Sequence, residues 1–455
     1  MTSDIAKPLP TSSSLMAVAT CVVALAFCAP RFHAAGGFAA FCVMAFVTAA
    51  ASAWAATASH RMDERRCVMI ILVAAVAMRV PFALAAPYLS SDIYRYIWDG
   101  RVQAHGINPY RYVPAAPELA TLRDQLIYPN INRADYAPTI YPPAAQILFL
   151  LSTRISESML AMKACMLAFD ALGVASLLGI LRYLGMPAQR IAAYAWHPLV
   201  LWEIAGNGHI DAAMTGTMLL SMWMFITRSP LQAAAVTTFA GLMKPIALLA
   251  LPVYWKPWDW RMPAMVVVLA AMLYAPYLSV GWKVFGFAAG YAAEEGYKAG
   301  GGFWYPDLLQ LLTGPIAGIG RAYLVAAALG LGVLAVRISF RADRSARASM
   351  ASAAVIVVVF LILLTPHYPW YYLAATPFLA FYPRLLTLWV LTVGGLQMHD
   401  VIIGDVVPDY GVRQMIFHSA VLIVIAWDLY RHRRAGGRQI SPSDVNQAIQ
   451  PITEK

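Results

Sequence analysis

The side chains able to do chemistry gather in a few short stretches of an otherwise apolar chain. SSDIYRYIWDGRVQAHGINPY, which begins at Ser90, carries Asp92, Arg95, Asp99, Arg101 and His105. GNGHID carries Asn207, His209 and Asp211, and Lys244 stands before Pro245 in the middle of an apolar block. Two further groups are Glu294, Glu295 and Lys298, and His367 with Tyr368, Trp370 and Tyr371 in PHYPWYY. A carboxylate in such a stretch can take a proton from an attacking hydroxyl, a device that contributes about 10²- to 10⁴-fold in rate. Asp92 is the candidate, because it directly follows an apolar run that fixes its depth at the membrane boundary. The alternative reading of Asp92 is the N-cap of an interfacial helix whose apolar stripe is Tyr94, Ile97 and Trp98.

Arg95, Arg101 and Lys244 are cations suited to a phosphate leaving group, since positive charge aimed at developing negative charge lowers such a barrier. Juxtamembrane arginines also anchor lipid headgroups. Lys244 interrupts two apolar halves, and an ionisable residue at such a depth is functional by default. His209 and Asp211 form a His-x-Asp constellation suited to metal binding or proton transfer, of which a metal site is the weaker reading because divalent ions want three or more convergent ligands. Lys163 and Asp170, seven residues apart on one helical face, read as a structural polar contact. The aromatics Trp98, Trp304, Trp370, Tyr371 and Tyr372 read mostly as an interfacial belt.

These residues need positioning elements, and composition says what kind. The chain has 455 residues, is 60% hydrophobic and only 12% charged, and has a mean hydropathy of +0.62. Soluble domains carry about 25% charged residues. Apolar runs of about 20 residues recur without period-2 alternation, which excludes an outer-membrane barrel and predicts an all-α polytopic bundle of about 12 to 14 membrane segments. The net charge of +10 comes from short basic clusters between those runs: HRMDERR, RYLGMPAQR, KPWDWR, RISFRADRSAR and RHRR. That is a positive-inside pattern and not a nucleic-acid footprint. It places both termini in the cytoplasm of a bacterial inner membrane and the chemistry-bearing stretches on the periplasmic face. The five cysteines have no disulfide or metal spacing and read as small core residues.

Residues 1–435 read as one integral membrane domain with a first large outer loop at 88–143, and residues 436–455 as a polar cytoplasmic tail. The first apolar run is followed almost at once by a second, which favours a retained helix over a cleaved signal. Ala144 to Ser152 is too short to span and predicts an interfacial or re-entrant helix. Lys244 between Leu231–Met243 and Ile246–Trp255 predicts a hairpin, of the kind that borders a cavity.

The ordered motifs SSDIYRYIWDGRVQAHGINPY, IYPPAAQ, HPLVLWEIAGNGHIDAAM, LMKPIALLALP and PHYPWYYLAATP resemble polytopic glycosyltransferases of the GT-C fold. The likeness runs from Pro81 to Pro377, with bacterial glycosyltransferase family 87 and the polyprenol-phosphomannose-dependent α-mannosyltransferases most similar. The resemblance implies a polyprenyl-phosphate sugar donor, a lipid-linked or cell-envelope glycan acceptor, an outward-facing site and inversion at the anomeric carbon. It puts the family's essential acid on Asp92, with Arg95, Asp99, Arg101, His105, Asn207, His209, Asp211, Lys244, His367, Tyr368 and Trp370 as candidate substrate-binding residues. The paired-acid motif is imperfect, with Tyr94 where a second acid would stand, so the expectation is transfer without a metal or other cofactor. The competing class is a secondary transporter or lipid-linked-sugar flippase; the concentration of polar residues at one face, without inverted repeats, weighs against it.

Overall fold

The computed structural model describes residues 11–32, 37–58, 63–297, 301–404 and 406–436. Lys7, Lys298 and the tail beyond 436 lie outside the described residues, as does part of HRMDERR. Every regular element among the described residues is helical. Three long helices open the chain: α1 (Ser12–Phe32), α2 (Phe38–Thr57) and α3 (Glu64–Leu84). Asp63 starts α3 by accepting a hydrogen bond from the Arg66 amide, an N-cap that supplies one otherwise unpaired helix donor. After α3 the chain forms α4 (Asp92–Ala104), an irregular loop, and α5 (Pro143–Ile155) before the 25-residue α6 (Met159–Tyr183).

Helices α4 and α5 pack against each other beyond the end of α3. A side chain at Gly100 would lie 2.5 Å from the Phe149 carbonyl oxygen, so only glycine permits this closeness. The first residue after α3 and the first turns of α6 meet at the same level, because the buried Lys163 ammonium donates to the carbonyls of Phe82 (3.1 Å) and Ala85 (2.7 Å). Helix α5 is therefore an interfacial element and not a crossing, as its 13-residue length predicts. Asp170 lies deeper, bound by Arg79 at 2.7 Å and by the Tyr194 hydroxyl at 2.8 Å. Lys163 and Asp170 thus each hold helices together through separate partners.

From residue 198 a helical turn passes into a π-helical turn, Leu201–Gly206, and the chain then bends by 118° into α7 (Asp211–Thr227). Helix α8 (Pro230–Gly241) returns from α7, Lys244 forms the apex, and a 3-10 segment (Pro245–Ala250) descends beside α8. This is the expected hairpin. The remaining spans are α9 (Arg261–Tyr274, continued in a kinked 3-10 segment), α10 (Ile319–Ser339), α11 (Ala346–Leu364) and α12 (Tyr410–Gly436), with a 3-10 descent at Pro369–Ala380 and an ascent at Leu386–Gly394 between the last two.

Among the described residues eight helices are long and apolar enough to cross a membrane, or nine if the bent pair at 198–227 counts as one span. Three shorter apolar helices, Pro143–Ile155, Pro245–Tyr254 and Leu386–Met398, accompany them, where about 12 to 14 membrane segments were expected. The chain is a multi-pass helical membrane protein.

Hydrogen bonds gather the basic clusters at one end of the bundle. The Ala188 amide donates to Glu64 (3.2 Å), Arg347 to the Leu184 carbonyl (2.8 Å), Arg341 to that of Val253 (3.0 Å) and Arg344 to that of Trp255 (3.2 Å). Two sequence expectations need correction. Trp98, Trp304 and Tyr372 are buried in the protein and form no belt; exposed tryptophans include Trp258, Trp260, Trp282 and Trp427. Of the cysteines only Cys67 is buried, while Cys21, Cys28 and Cys42 face outward.

Candidate active site

The end of the bundle opposite the basic clusters holds a cavity of about 860 Å³, within the range of roughly 300–1,000 Å³ usual for ligand pockets. Its wall is assembled from the loop after α3, the start of α4, the loop before α5, the Lys244 apex, the segment 284–291 and the PHYPWYY stretch. Its polar lining includes Asp92, Asn132, Arg133 and Lys244. Its apolar lining includes Tyr274, Val284, Phe285 and Phe360.

Asp92 is the first residue of α4, and its carboxylate does not cap that helix: Ser91 holds the cap position and the acid turns away. One carboxylate oxygen accepts from the Asn132 amide at 3.0 Å and the other from the Tyr141 hydroxyl at 3.3 Å. The side chain keeps 18% of its surface exposed, toward the cavity. Burial and the nearby Asp92 charge push the Tyr141 hydroxyl well above its ordinary pKa, so it remains a donor to the acid. Tyr141 packs edge-on to Tyr96, which stacks on Phe149 at 4.6 Å between ring centres, so the donor is fixed by the α4–α5 contact.

Behind Asp92 the turn 206–211 supplies His209. Its Nδ1 lies 3.8 Å from Asp92, and its Nε2 lies 3.2 Å from Glu203, which is fully buried in the π-helical turn. Such turns often mark functional sites. The second oxygen of Glu203 meets Nε2 of His399, and the Asn207 amide donates to Glu203 at 3.1 Å while its own carbonyl accepts from the Leu89 amide. Gly208 makes the turn possible: its φ is +68°, and a side chain there would come within 2.8 Å of Ile93. Trp370, in the cavity wall, stacks on the His209 ring at 4.3 Å and is itself stacked by Tyr368 at 4.7 Å.

Lys244 reaches the same end of the bundle. Its ammonium donates to both oxygens of the buried Asp211 at 2.7 Å and sits 4.1 Å above the Tyr371 ring. Arg133, at a positive φ of 54°, reaches the wall from the first loop and pairs with Glu294 at 2.7 Å. Glu294 also accepts from the Tyr136 hydroxyl at 2.8 Å, so the first loop is tied to the helical turn 288–294.

The remaining candidates take other places. Arg95 lines the wall but is already engaged with Asp99 (2.8 Å) and the Ala137 carbonyl. Asp99 turns inward to Gln146 and does not reach the cavity. The phosphate-binding role expected of Arg101 is not supported by its position: it binds Glu157 and Asp124 at 2.7 Å each and the Leu122 carbonyl at 3.0 Å, clamping the first loop. The guanidinium sits beside a carboxyl whose partial burial would raise its pKa, and together with the Ile127 and Tyr128 amides holds Asp124 down at about 2. His105 is exposed at the end of α4.

His209 and Asp211 stand behind the wall, and Asn207 serves the turn; direct substrate contact was expected of all three. His367 bonds Glu295 and the Gly302 carbonyl outside the wall, whereas Tyr368 and Trp370 belong to it.

Sequence reasoning passed over Asn132, Arg133, Tyr141, Glu203 and His399. Glu203 alone had a usable signal, as the one acid within the apolar HPLVLWEIAG run. Among the described residues no three His, Cys, Asp or Glu side chains converge to hold a metal ion.

Residues 10–258 match the family model described as Alpha-(1->6)-mannopyranosyltransferase, N-terminal domain. The Alpha-(1->6)-mannopyranosyltransferase A of Mycobacterium tuberculosis is 25% identical over 181 residues, 40% of this chain and 35% of that protein. Its namesake from Corynebacterium glutamicum is 23% identical over 177 residues, 39% of this chain and 36% of that one. The matched stretch spans about a third of the length of these curated relatives. No solved structure matches.

Proposed function

We propose, on the premise that this chain belongs to the alpha-(1->6)-mannopyranosyltransferase family, that it is a membrane glycosyltransferase. It moves a hexose, mannose, from a polyprenyl-phosphate donor to a lipid-linked or cell-envelope glycan acceptor at the outer face of the bacterial inner membrane. The observation that carries this reading is the placement of Asp92. A partly exposed carboxylate, held by two neutral donors, faces a ligand-sized cavity whose lining also includes apolar residues.

The geometry suits a single displacement. Asp92 accepts the proton of an acceptor hydroxyl while that oxygen bonds to the anomeric carbon; the bond from that carbon to the phosphate oxygen breaks on the opposite side, giving inversion. The lipid phosphate departs with the electron pair. Arg133 and Lys244 are the cations that reach the wall with part of their side chains uncovered, 29% and 15%, and they oppose the charge developing on phosphate. The apolar lining offers a route for the polyprenyl chain, because Phe285 in the wall is half exposed and is stacked by the outward-facing Trp282. No step in this scheme calls on a metal ion, so transfer is expected to continue in the presence of a chelator.

The test is chemical. The purified chain in nanodiscs is incubated with radiolabelled polyprenyl-phosphate mannose or glucose and a bacterial glycolipid extract. Label covalently attached to the extract, with mannose preferred, supports the reading. Label that stays on its donor but crosses a liposome bilayer establishes the transporter or flippase reading instead.

A further inference from the structure

We propose that His209 and Glu203 form a proton store behind Asp92: His209 takes the proton that Asp92 receives from the acceptor, and the Glu203 carboxylate stabilises the resulting imidazolium. This rests on Asp92 being the base. The first observation is a buried carboxylate whose partners are an amide and two histidines. Glu203 has no exposed surface, and its contacts are the Asn207 amide, His399 and His209, with no lysine or arginine among them. Burying a carboxylate is costly unless positive charge matches it, and a glutamine would fill the same space without that cost. A histidine that becomes positive during turnover gives the charge a purpose.

The second observation is the asymmetry around the His209 ring. The ring is 1% exposed, and neither nitrogen makes a well-aligned hydrogen bond. Nε2 lies 3.2 Å from Glu203, whereas Nδ1 lies 3.8 Å from Asp92. A neutral ring with its proton on Nε2, facing Glu203, accounts for the difference, because the Nδ1 lone pair then faces a carboxylate with no proton between them. When Asp92 gains a proton, that gap acquires a donor and closes. The Asp92 proton passes to Nδ1, Asp92 returns to a carboxylate, and the imidazolium is held between two negative charges.

The proton has then left the atom best placed to return it to the newly bonded oxygen, which disfavours reversal while product is bound. It returns through Asp92 to water once the cavity empties. Trp370 fixes the ring plane and stands between His209 and the cavity, so the store is shielded from bulk water. The other charged groups facing the ring are few. Asp211 carries a charge already matched by Lys244, and His399 lies beyond Glu203. His209 and Glu203 are in this sense positioning residues that act through Asp92.

The experiment measures steady-state transfer from polyprenyl-phosphate mannose in H₂O and D₂O for wild type, Glu203→Gln, His209→Gln, Asp92→Asn and the double variant Asp92→Asn/Glu203→Gln. Expected for each relay variant are a kcat lower by about 10- to 100-fold, a donor KM within about twofold of wild type and a larger solvent isotope effect on kcat. The double variant is expected to be no slower than Asp92→Asn alone, because a store has no use without its base. A Glu203→Gln kcat within about twofold of wild type overturns the proposal. So does a lowered kcat with an unchanged isotope effect and a multiplicative double variant, the pattern of a structural role. If Glu203→Gln does not fold, His209→Gln and Glu203→Asp carry the same readouts. An active Asp92→Asn sinks the base reading itself, whereas an inactive Asp92→Asn with a normal Glu203→Gln sinks only the store.

Discussion

Replacing Lys244 separates structure from chemistry at the cavity wall. Both oxygens of Asp211 rest on the Lys244 ammonium at 2.7 Å, and Asp211 has no exposed surface. Lys244→Met keeps most of the side-chain length but leaves that carboxylate buried and unpaired. Removing one partner of a buried pair costs about 3–5 kcal/mol, a large share of the roughly 5–15 kcal/mol that stabilises a folded domain. The loss of the contact with Tyr371, 4.1 Å below the ammonium, adds about 0.5–2 kcal/mol. The single variant should therefore melt well below wild type in nanodiscs, followed by tryptophan fluorescence.

Replacing the pair by apolar groups of similar size is often neutral, so Lys244→Met/Asp211→Leu should recover most of the melting temperature. If Lys244 also meets the donor phosphate, that double variant folds but keeps a raised donor KM or a lowered kcat. A Lys244→Met protein that melts within about 1 kcal/mol of wild type, a figure set against the cost of breaking a buried pair, would refute the energetic reasoning. Full recovery of activity in the double variant would remove Lys244 from the reaction.

Gly208→Ala forces a side chain into a left-handed backbone position and to within 2.8 Å of Ile93 and 3.1 Å of Lys163. It should cost about 1–3 kcal/mol and displace His209, read as lower thermal stability together with lower kcat. Arg101→Ala should loosen the first loop to proteolysis without changing donor KM. The Asp124 carboxyl is held down to about 2, from 3.8, by Arg101 together with the Ile127 and Tyr128 amides. Its contribution is therefore fully present above pH 3.8, is lost as pH falls toward 2, and should shrink in Arg101→Ala when loop cleavage is followed against pH. Accessibility labelling of single cysteines should place residues 228 and 347 in one compartment and residue 106 in the other; a shared compartment for 106 and 228 would contradict the one-ended clustering of basic residues.

Much of the architecture was legible because hydropathy and charge act locally. The basic clusters fall at one end, Lys244 marks a hairpin apex, and α5 is too short to cross. Asp92 was legible as a boundary residue, since the apolar run before it sets its depth. Its partners were not. Asn132 and Tyr141 lie 40 and 49 residues away in an irregular loop, and no period relates such positions.

Arg101 misled because a sequence shows a cation but not the carboxylates that occupy it, here Asp124 and Glu157. His209 was recognised as functional but assigned to the substrate, because the 118° bend that sets it behind Asp92 follows from a π-helical turn with no simple sequence signature. Trp98 was read as a belt residue on type alone, whereas the α4 face that carries it packs inward against Tyr128.

The most direct test of the account is mannosyl transfer by Asp92→Asn with saturating polyprenyl-phosphate mannose. Asparagine keeps the size of the acid, can still accept from Asn132 through its carbonyl oxygen and can turn its amide nitrogen to donate to the Tyr141 hydroxyl, but it cannot take the acceptor's proton. The account predicts near wild-type thermal stability with transfer reduced by about two to four orders of magnitude. Retention of more than about a tenth of wild-type transfer, far above the loss expected for a missing base, would contradict it.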